Sequence, residues 1–450
     1  MVRSIKYKKA WKEGSEVKNR EKYRTVFQQD FDRIIFSSAF RRLQNKTQVF
    51  PFPKSEFIHN RLTHSLETSS VGRSLGNIVG SYVIDKYKEL KEEYNFSDFG
   101  SIVSAACLAH DLGNPPFGHS GEDAISSFFR SDEAKKYLKN LNNQQIADLQ
   151  NFEGNAAGFR IISKTPESQS EIQGGLALTY PTYASFIKYP KGSLPKIEKS
   201  NYASLKKYSY FYSEKDVFNK IAEELKLNKR TIGDREFYSR FPLAFLVEAA
   251  DDICYTLIDY EDGFNEGLLS FGEVEDAFST ILALEWSVLK QQYSKIYDKT
   301  SKINYLRSKA INTLINQSAE VFIANEETIL SGDFDSSILD KIESAKIVDF
   351  IKKDSFNRIY SSDPVVKIEV SGYKALPQLL SVFISAAFES ESGHSKRILK
   401  LIPDLYLAMG RKLFENDYEL LLNITMYISS MTDKDTVELY KQINGISLGN

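Results

Sequence analysis

Residues 101–123 read SIVSAACLAHDLGNPPFGHSGED, and this stretch decides the fold. It opens as an apolar helix and sets His110 and Asp111 side by side at the end of that run. Gly113-Asn114-Pro115-Pro116 cannot continue the helix, because proline lacks an N–H and drives the preceding residue toward extended backbone. The turn delivers His119 and Glu122 three residues apart, on one face of a helix that begins there. With Asp123, the turn gathers two imidazoles and three carboxylates, a composition that predicts a metal site with a proton-transfer pair beside it.

Outward from this turn, residues 58–80 (IHNRLTHSLETSSVGRSLGNIVG) form a helix that carries Arg61 and His64 at i,i+3, with Glu67 and Thr68 one turn on. Downstream, PLAFLVEAADDICYTLIDYEDG over 242–263 has proline in its first turn and glycine at its end, the ordinary punctuation of a helix. Asp251, Tyr255 and Asp259 recur every four residues along it, a polar stripe on an otherwise apolar helix that needs partners. Four of the five histidines, at 59, 64, 110 and 119, fall close together; His394 lies in a Gly/Ser-rich surface loop. His64, His110, Asp111 and one of Asp251 or Asp252 supply two nitrogens and two carboxylates. That set suits one divalent cation (Mn, Mg, Fe or Zn) rather than a closed thiolate zinc site. His59 is either a neighbour of that site or a packed side chain.

The remaining chain supports one continuous helical body without internal repeats. At 450 residues, 42% hydrophobic and 26% charged with net charge −2, it reads as an ordinary globular protein and gives no basis for wholesale nucleic-acid binding. The N-terminus has no secretory pattern, no apolar run reaches the length of a membrane span, and Cys107 and Cys254 read as buried thiols, so a cytoplasmic protein is expected. Residues 1–24 form a basic, aromatic arm. Residues 45–53 (NKTQVFPFP) alternate and suit a short hairpin or extended loop, with Gln48 beside Val49. A helix over 174–190 ends in Lys188-Tyr189-Pro190, and 191–235 is a Lys/Tyr/Ser-rich excursion of lid type. The expected organisation is the arm (1–24), a core over 25–265, and a C-terminal helical region (266–450) packed on it.

The order H…HD…D resembles the HD superfamily of metal-dependent phosphohydrolases. RIIFSSAFRRLQNKTQVFPF, HNRLTHSLE, HDLGNPPFGHSGE, NFEGNAAGF, KYP and EAADDICYTLIDYEDG together resemble the deoxyguanosine triphosphate triphosphohydrolase (dGTPase) family over residues 23–265. The likeness is looser at IEVSGYKAL (368–376) and YISSMTD (427–433). Gln29, Phe31 and Phe36 stand where the family pattern has Arg, Arg and His, which bears on an effector or partner contact rather than on the chemistry.

The resemblance implies an all-α fold, an HD helical core with added helices and at most a short β-hairpin near 45–53. It implies hydrolysis of a dNTP to deoxynucleoside and triphosphate with one divalent metal ion. By the same resemblance the metal ligands are His64, His110, Asp111 and Asp251, with His119 as general acid and Glu122 as its partner. Arg61, Lys188 and Tyr255 would hold the triphosphate; Gln48 and Asp259 would read the sugar 3′-hydroxyl; Val49 would pack under the ribose. Glu369 and Tyr373 are candidates for a base or allosteric contact. A homo-oligomer, hexamer or tetramer, with a dNTP effector between subunits is also implied. Competing readings are another single-metal HD enzyme (a monophosphatase or guanosine tetraphosphate hydrolase) or a single-stranded nucleic-acid-binding regulator with a vestigial site. A two-metal phosphodiesterase is disfavoured, because only His119 lies between Asp111 and Asp251.

Overall fold

The computed structural model describes residues 24–50, 58–164, 175–194, 202–232 and 235–447. The arm up to residue 23, the prolines at 51 and 53, and residues 195–201 lie outside the described residues.

Helices α1 (Val26–Ile35), α2 (Ser38–Arg42), α3 (Arg61–Lys86) and α4 (Phe96–Ala109) lead to the central turn. After it come α5 (Gly118–Arg130), α6 (Asn143–Gln150), α7 (Gly154–Ser163), α8 (Tyr180–Phe186) and α9 (Lys215–Glu224). Strands β1 (Lys229–Ile232) and β2 (Arg235–Tyr238) then precede the long α10 (Pro242–Asn265). The chain continues through α11 (Phe271–Leu282), α12 (Trp286–Tyr293), α13 (Lys299–Ala324), α14 (Glu326–Ser331) and α15 (Ala345–Ser355). It closes with α16 (Asp363–Phe388), α17 (Gly393–Leu399), α18 (Asp417–Ser429) and α19 (Asp433–Ile443). No helix among the described residues is long and apolar enough to cross a membrane.

The hairpin is present but lies elsewhere than expected: β1 and β2 pair antiparallel, with Lys229 opposite Tyr238 and Ile232 opposite Arg235. Near residue 45 the chain makes one 3₁₀ turn (Leu43–Asn45) and a lone bridge between Thr47 and Asn60. Val49 and Phe50 are adjacent and both buried, so the described part of 45–53 does not alternate as a half-buried strand would.

Two hydrophobic cores organise the helices. In the first, Val71 and Leu75 of α3, Val103 and Ala106 of α4, and Leu246 and Ile253 of α10 pack with residues of α1, α11, α13 and α15. In the second, Ile125 and Phe129 of α5 pack with Leu380 and Phe383 of α16 and Leu421 and Ile428 of α18. Each core draws residues from both sides of residue 265. Leu75 and Phe383 are fully buried, so truncating either to alanine costs about 2–5 kcal/mol. The central turn passes from the first core to the second.

Candidate metal centre and pocket

Helix α3 starts where it does because the Asn60 side chain accepts from Leu62 N (3.1 Å) and Thr63 N (3.0 Å), while Thr63 Oγ1 accepts from Asn60 N at 3.0 Å. This cap places Arg61 and His64 in the first turn, facing α4 and α10. Helix α4 stops at His110, whose Nδ1 lies 2.6 Å from the Cys107 carbonyl oxygen. A carbonyl only accepts, so Nδ1 carries a proton, and with a cation bound Nε2 would present its lone pair.

His110 Nε2 is buried without a donor and lies 3.5 Å from Asp251 Oδ1 and 3.5 Å from Asp111 Oδ1. His64 Nε2 is 3.2 Å from the same Asp251 oxygen. One ligand atom each from His64, His110 and Asp251 therefore lies within 4.8 Å of the others. Asp111 joins from the side: its Oδ2 accepts from Arg61 Nη1 at 2.8 Å, and its Oδ1 accepts from the Asn114 amide. Burial pushes both carboxyls up, but His110 and His64 (with Arg61 for Asp111 and Lys188 for Asp251) overcome it and hold them below the usual range. The donor set fits a divalent cation: an orphaned, tautomer-locked imidazole nitrogen, a second imidazole and ionised carboxylates converge on one spot. Asp252 faces away, with its Oδ2 taken by Lys352 Nζ at 2.9 Å, which separates it from Asp251.

Across the turn, Phe117 adopts φ +64° and α5 begins at Gly118. His119 Nδ1 lies 3.0 Å from Glu122 Oε2. Glu122 Oε1 accepts from Gly154 N at 2.6 Å, and Lys207 Nζ stands 3.5 Å from Oε2 and 3.0 Å from Glu153 Oε1. Burial raises Glu122, but His119, Lys207 and the Gly154 N–H outweigh it and keep the carboxyl low. The NFEGNAAGF segment accompanies the turn for a steric reason. A Cβ on Gly113 would lie 2.0 Å from Gly158 N, so only glycine lets the turn lie against α7.

Both constellations face one cavity of about 570 Å³, within the range of small-molecule sites. Gln48, Val49, Arg61, Lys188, Tyr255 and Glu369 line it together with the metal corner and His119. Glu122 stands directly behind His119. Lys188 Nζ is 3.3 Å from Glu248 Oε1, and Arg240 fixes that carboxylate with a bond of 2.6 Å.

Two candidate residues stand off the cavity surface, and the expected lid is tied down. Asp259 is fully buried behind the wall, where its Oδ2 accepts from Tyr360 OH at 2.7 Å; Tyr360, stacked on Tyr255 at 5.6 Å, is the residue on the cavity surface. Tyr373 lies beyond the cavity, with its hydroxyl 3.4 Å from Asp123 Oδ2, so neither residue belongs to the pocket or the metal corner. Helical spacing assigned each residue its face but not its depth. The described part of 191–235 is a strap rather than a free lid: Tyr212 N donates to Asp148 Oδ2 at 2.7 Å, and Tyr208 OH donates to Asn151 O at 2.8 Å.

That strap carries Lys207 to the pocket, a residue with no signal inside an aperiodic Lys/Tyr run. Tyr360 and Phe356 arrive on a π-helical turn (Phe356–Tyr360), which sequence periodicity does not announce. Asn114 could have been found, since it follows Asp111 at i,i+3. His59 is a pin outside the pocket, its Nδ1 3.0 Å from Asp262 Oδ1 and its Nε2 3.3 Å from Glu67 Oε1.

The comparisons agree with this geometry. The family described as HD domain matches residues 61–168, the span from Arg61 through the turn. A deoxyguanosinetriphosphate triphosphohydrolase-like protein of Synechocystis is 40% identical over 94% of this chain and 95% of its own length. One from Pseudomonas aeruginosa is 38% identical over 95% of both chains. A deoxyguanosinetriphosphate triphosphohydrolase of Klebsiella pneumoniae is 30% identical over 84% of this chain and 80% of its own. With a relative at this identity spanning nearly the whole chain, the protein belongs to the dGTPase family of HD-domain phosphohydrolases and is a hydrolase.

Proposed function

We propose that the protein hydrolyses deoxynucleoside triphosphates, dGTP among them, to a deoxynucleoside and inorganic triphosphate. The observation that carries this is the convergence of His64, His110 and Asp251 on one spot, with His119 on the same cavity. His64, His110, Asp111 and Asp251 would hold one divalent ion (Mn, Mg, Fe or Zn), which supplies Lewis-acid activation of water and of the phosphate.

The protein's own groups do the rest. Water adds its oxygen to the α-phosphorus, the bond from phosphorus to the 5′-oxygen breaks, and His119 gives that oxygen a proton. An alkoxide is a poor leaving group without such a donor. Glu122, pinned by Gly154 N and facing Lys207, orients the imidazole through Nδ1 and leaves Nε2 for the substrate. Arg61, Lys188 and the Tyr255 hydroxyl bind the triphosphate oxygens. Gln48, whose buried Oε1 has no partner, meets the sugar hydroxyl, with Asp259 acting behind Tyr360. Val49 under the ribose leaves little room for a 2′-hydroxyl, and Glu369 faces the base. The enzyme works in the cytoplasm as a homo-oligomer, hexamer or tetramer, with a nucleotide effector between subunits.

The test is incubation with Mn²⁺ and dATP, dCTP, dGTP, TTP or GTP, with products separated by anion exchange. Triphosphate from at least one dNTP is expected, with GTP cut measurably but far more slowly. Release of pyrophosphate or monophosphate instead would place the protein with other HD hydrolases, and single-stranded DNA binding without turnover would make it a regulator.

A further inference from the structure

The sugar wall and the proton-donor wall of the pocket come from irregular backbone. Residues 46–50 belong to no helix, and Phe117 holds a left-handed φ of +64°, a conformation that costs free energy for a bulky side chain and persists only where its surroundings impose it. The side chain of Phe117 does not cap α5. Local backbone bonds hold each segment in part: Gly118 N donates to Pro115 O, and Thr47 bridges Asn60.

One carboxylate reaches both. Asp433, in the first turn of α19 and 3% exposed, accepts from Thr47 N through Oδ2 at 2.9 Å and from Phe117 N through Oδ1 at 2.8 Å. Lys46, equally buried, donates from Nζ to Asn114 O at 2.5 Å and to Ser429 O at 3.0 Å, tying the same two segments to the end of α18. The Phe117 ring lies hard against α16, where a Cβ on Gly372 would stand 2.6 Å from Phe117 Cδ2. Gln48 and Val49 follow Thr47 directly, and His119 follows Phe117 by two residues.

We propose that Asp433 is a positioning residue for the reaction: its two oxygens set the distance between the Gln48–Val49 wall and the His119 helix. It touches neither substrate nor metal ligand. The inference rests on the reading given under Proposed function, which supplies the meaning of those walls. A clamp that served stability alone would lower every activity together. A spacing device also alters which sugar the pocket accepts, because relaxing the Val49 wall admits a 2′-hydroxyl.

The test compares wild type with Asp433→Asn, which keeps the shape but turns an N–H₂ toward one of the two N–H donors. Hydrogen exchange is followed in peptides covering 44–50 and 113–121, and kcat and KM are measured on dGTP and GTP. Exchange in both segments is expected to accelerate, kcat on dGTP to fall about tenfold or more with little change in KM, and the dGTP-over-GTP ratio of kcat/KM to fall by a similar factor, since a displacement near 1 Å at a reacting centre has effects of this size. Asp433→Glu, which keeps both acceptors on a longer stem, is expected to recover part of the ratio, and it reads the same quantity if the asparagine variant does not fold. Unchanged exchange in both segments overturns the proposal. So does a ratio that stays at the wild-type value, or equal losses on both nucleotides that track a lowered Tm. Wild-type protein that releases no triphosphate from any dNTP overturns the underlying reading, and the exchange rates, which need no turnover, tell that failure from the failure of the clamp.

Discussion

His110 and His119 face the same cavity from the two ends of one turn, yet their surroundings are opposite. The His110 side chain is 13% exposed, clamped through Nδ1 to the Cys107 carbonyl and embedded where α3, α4 and α10 meet. The His119 side chain is 84% exposed and is held only through Glu122. A metal ligand has to stand still with its tautomer fixed, and a dense helical core provides that. A proton donor has to exchange its proton with solvent each cycle, so it sits on an open helix start and takes its aim from a buried neighbour. On the proposed reading, the first core sets the metal corner and the second core sets the angle of the acid.

The sharpest way to break this comparison is to remove one group from each side. Asp251→Ala takes away the oxygen on which both imidazoles converge; bound metal, measured by elemental analysis, is expected to be lost and turnover to fall by about 10³ or more. Asp252→Asn, which disturbs the Lys352 and Ser337 contacts instead, is expected to keep the metal. If the two results are reversed, the wrong carboxylate has been placed at the corner. On the other side, His119→Ala is expected to keep full metal content and lose about 10²–10⁴ in kcat, read by triphosphate release. Glu122→Gln keeps an acceptor for Gly154 N but weakens the aim of the imidazole; a loss of about ten- to a hundredfold is expected, smaller than for His119 itself. Equal losses for Glu122→Gln and His119→Ala would show that Glu122 does more than orient.

The metal corner was legible because its members sit on helices at spacings that periodicity reads: His64 four residues past a capping asparagine, His110-Asp111 at an apolar helix end, Asp251 on a polar stripe. The Pro-Pro turn likewise announced His119 and Glu122. At Asp259 and Tyr373 the stripe gave a side but not a depth, because a helical period fixes the side a residue faces and says nothing of how far the cavity extends along it. Asp123, next to Glu122, is turned about 100° around α5 and leaves the site for that reason. The contacts of Lys207, Tyr360 and Asp433 were not legible. Each residue reaches its place through a contact with a distant segment, and local pattern carries no record of which distant segment a side chain meets. The loose likeness at YISSMTD pointed toward Asp433 without saying what it touches.

The smallest expected effect concerns how the rigid side is pinned. His59 joins the residues just before α3, which carry Arg61 and His64, to Asp262 near the end of α10, which carries Asp251. Burial alone would lower its pKa, but the bonds to Asp262 and Glu67 raise it from 6.5 to about 10. Asp259 and Glu261 lie nearby; burial pushes both carboxyls up, and Glu261 is itself paired with Arg307. A histidine whose folded pKa is raised stabilises the fold fully below its unfolded pKa of about 6.5, and this contribution fades as pH rises through about 10. His59→Gln is therefore expected to be less stable than wild type by about 1–3 kcal/mol at pH 6, with the gap shrinking steadily toward pH 10, as read by urea unfolding across that range. Taking the difference between two proteins cancels the lysines and tyrosines that titrate near the upper end in both. A gap that stays constant with pH would mean that His59 holds α3 and α10 together as a neutral hydrogen bond rather than as a cation between two carboxylates.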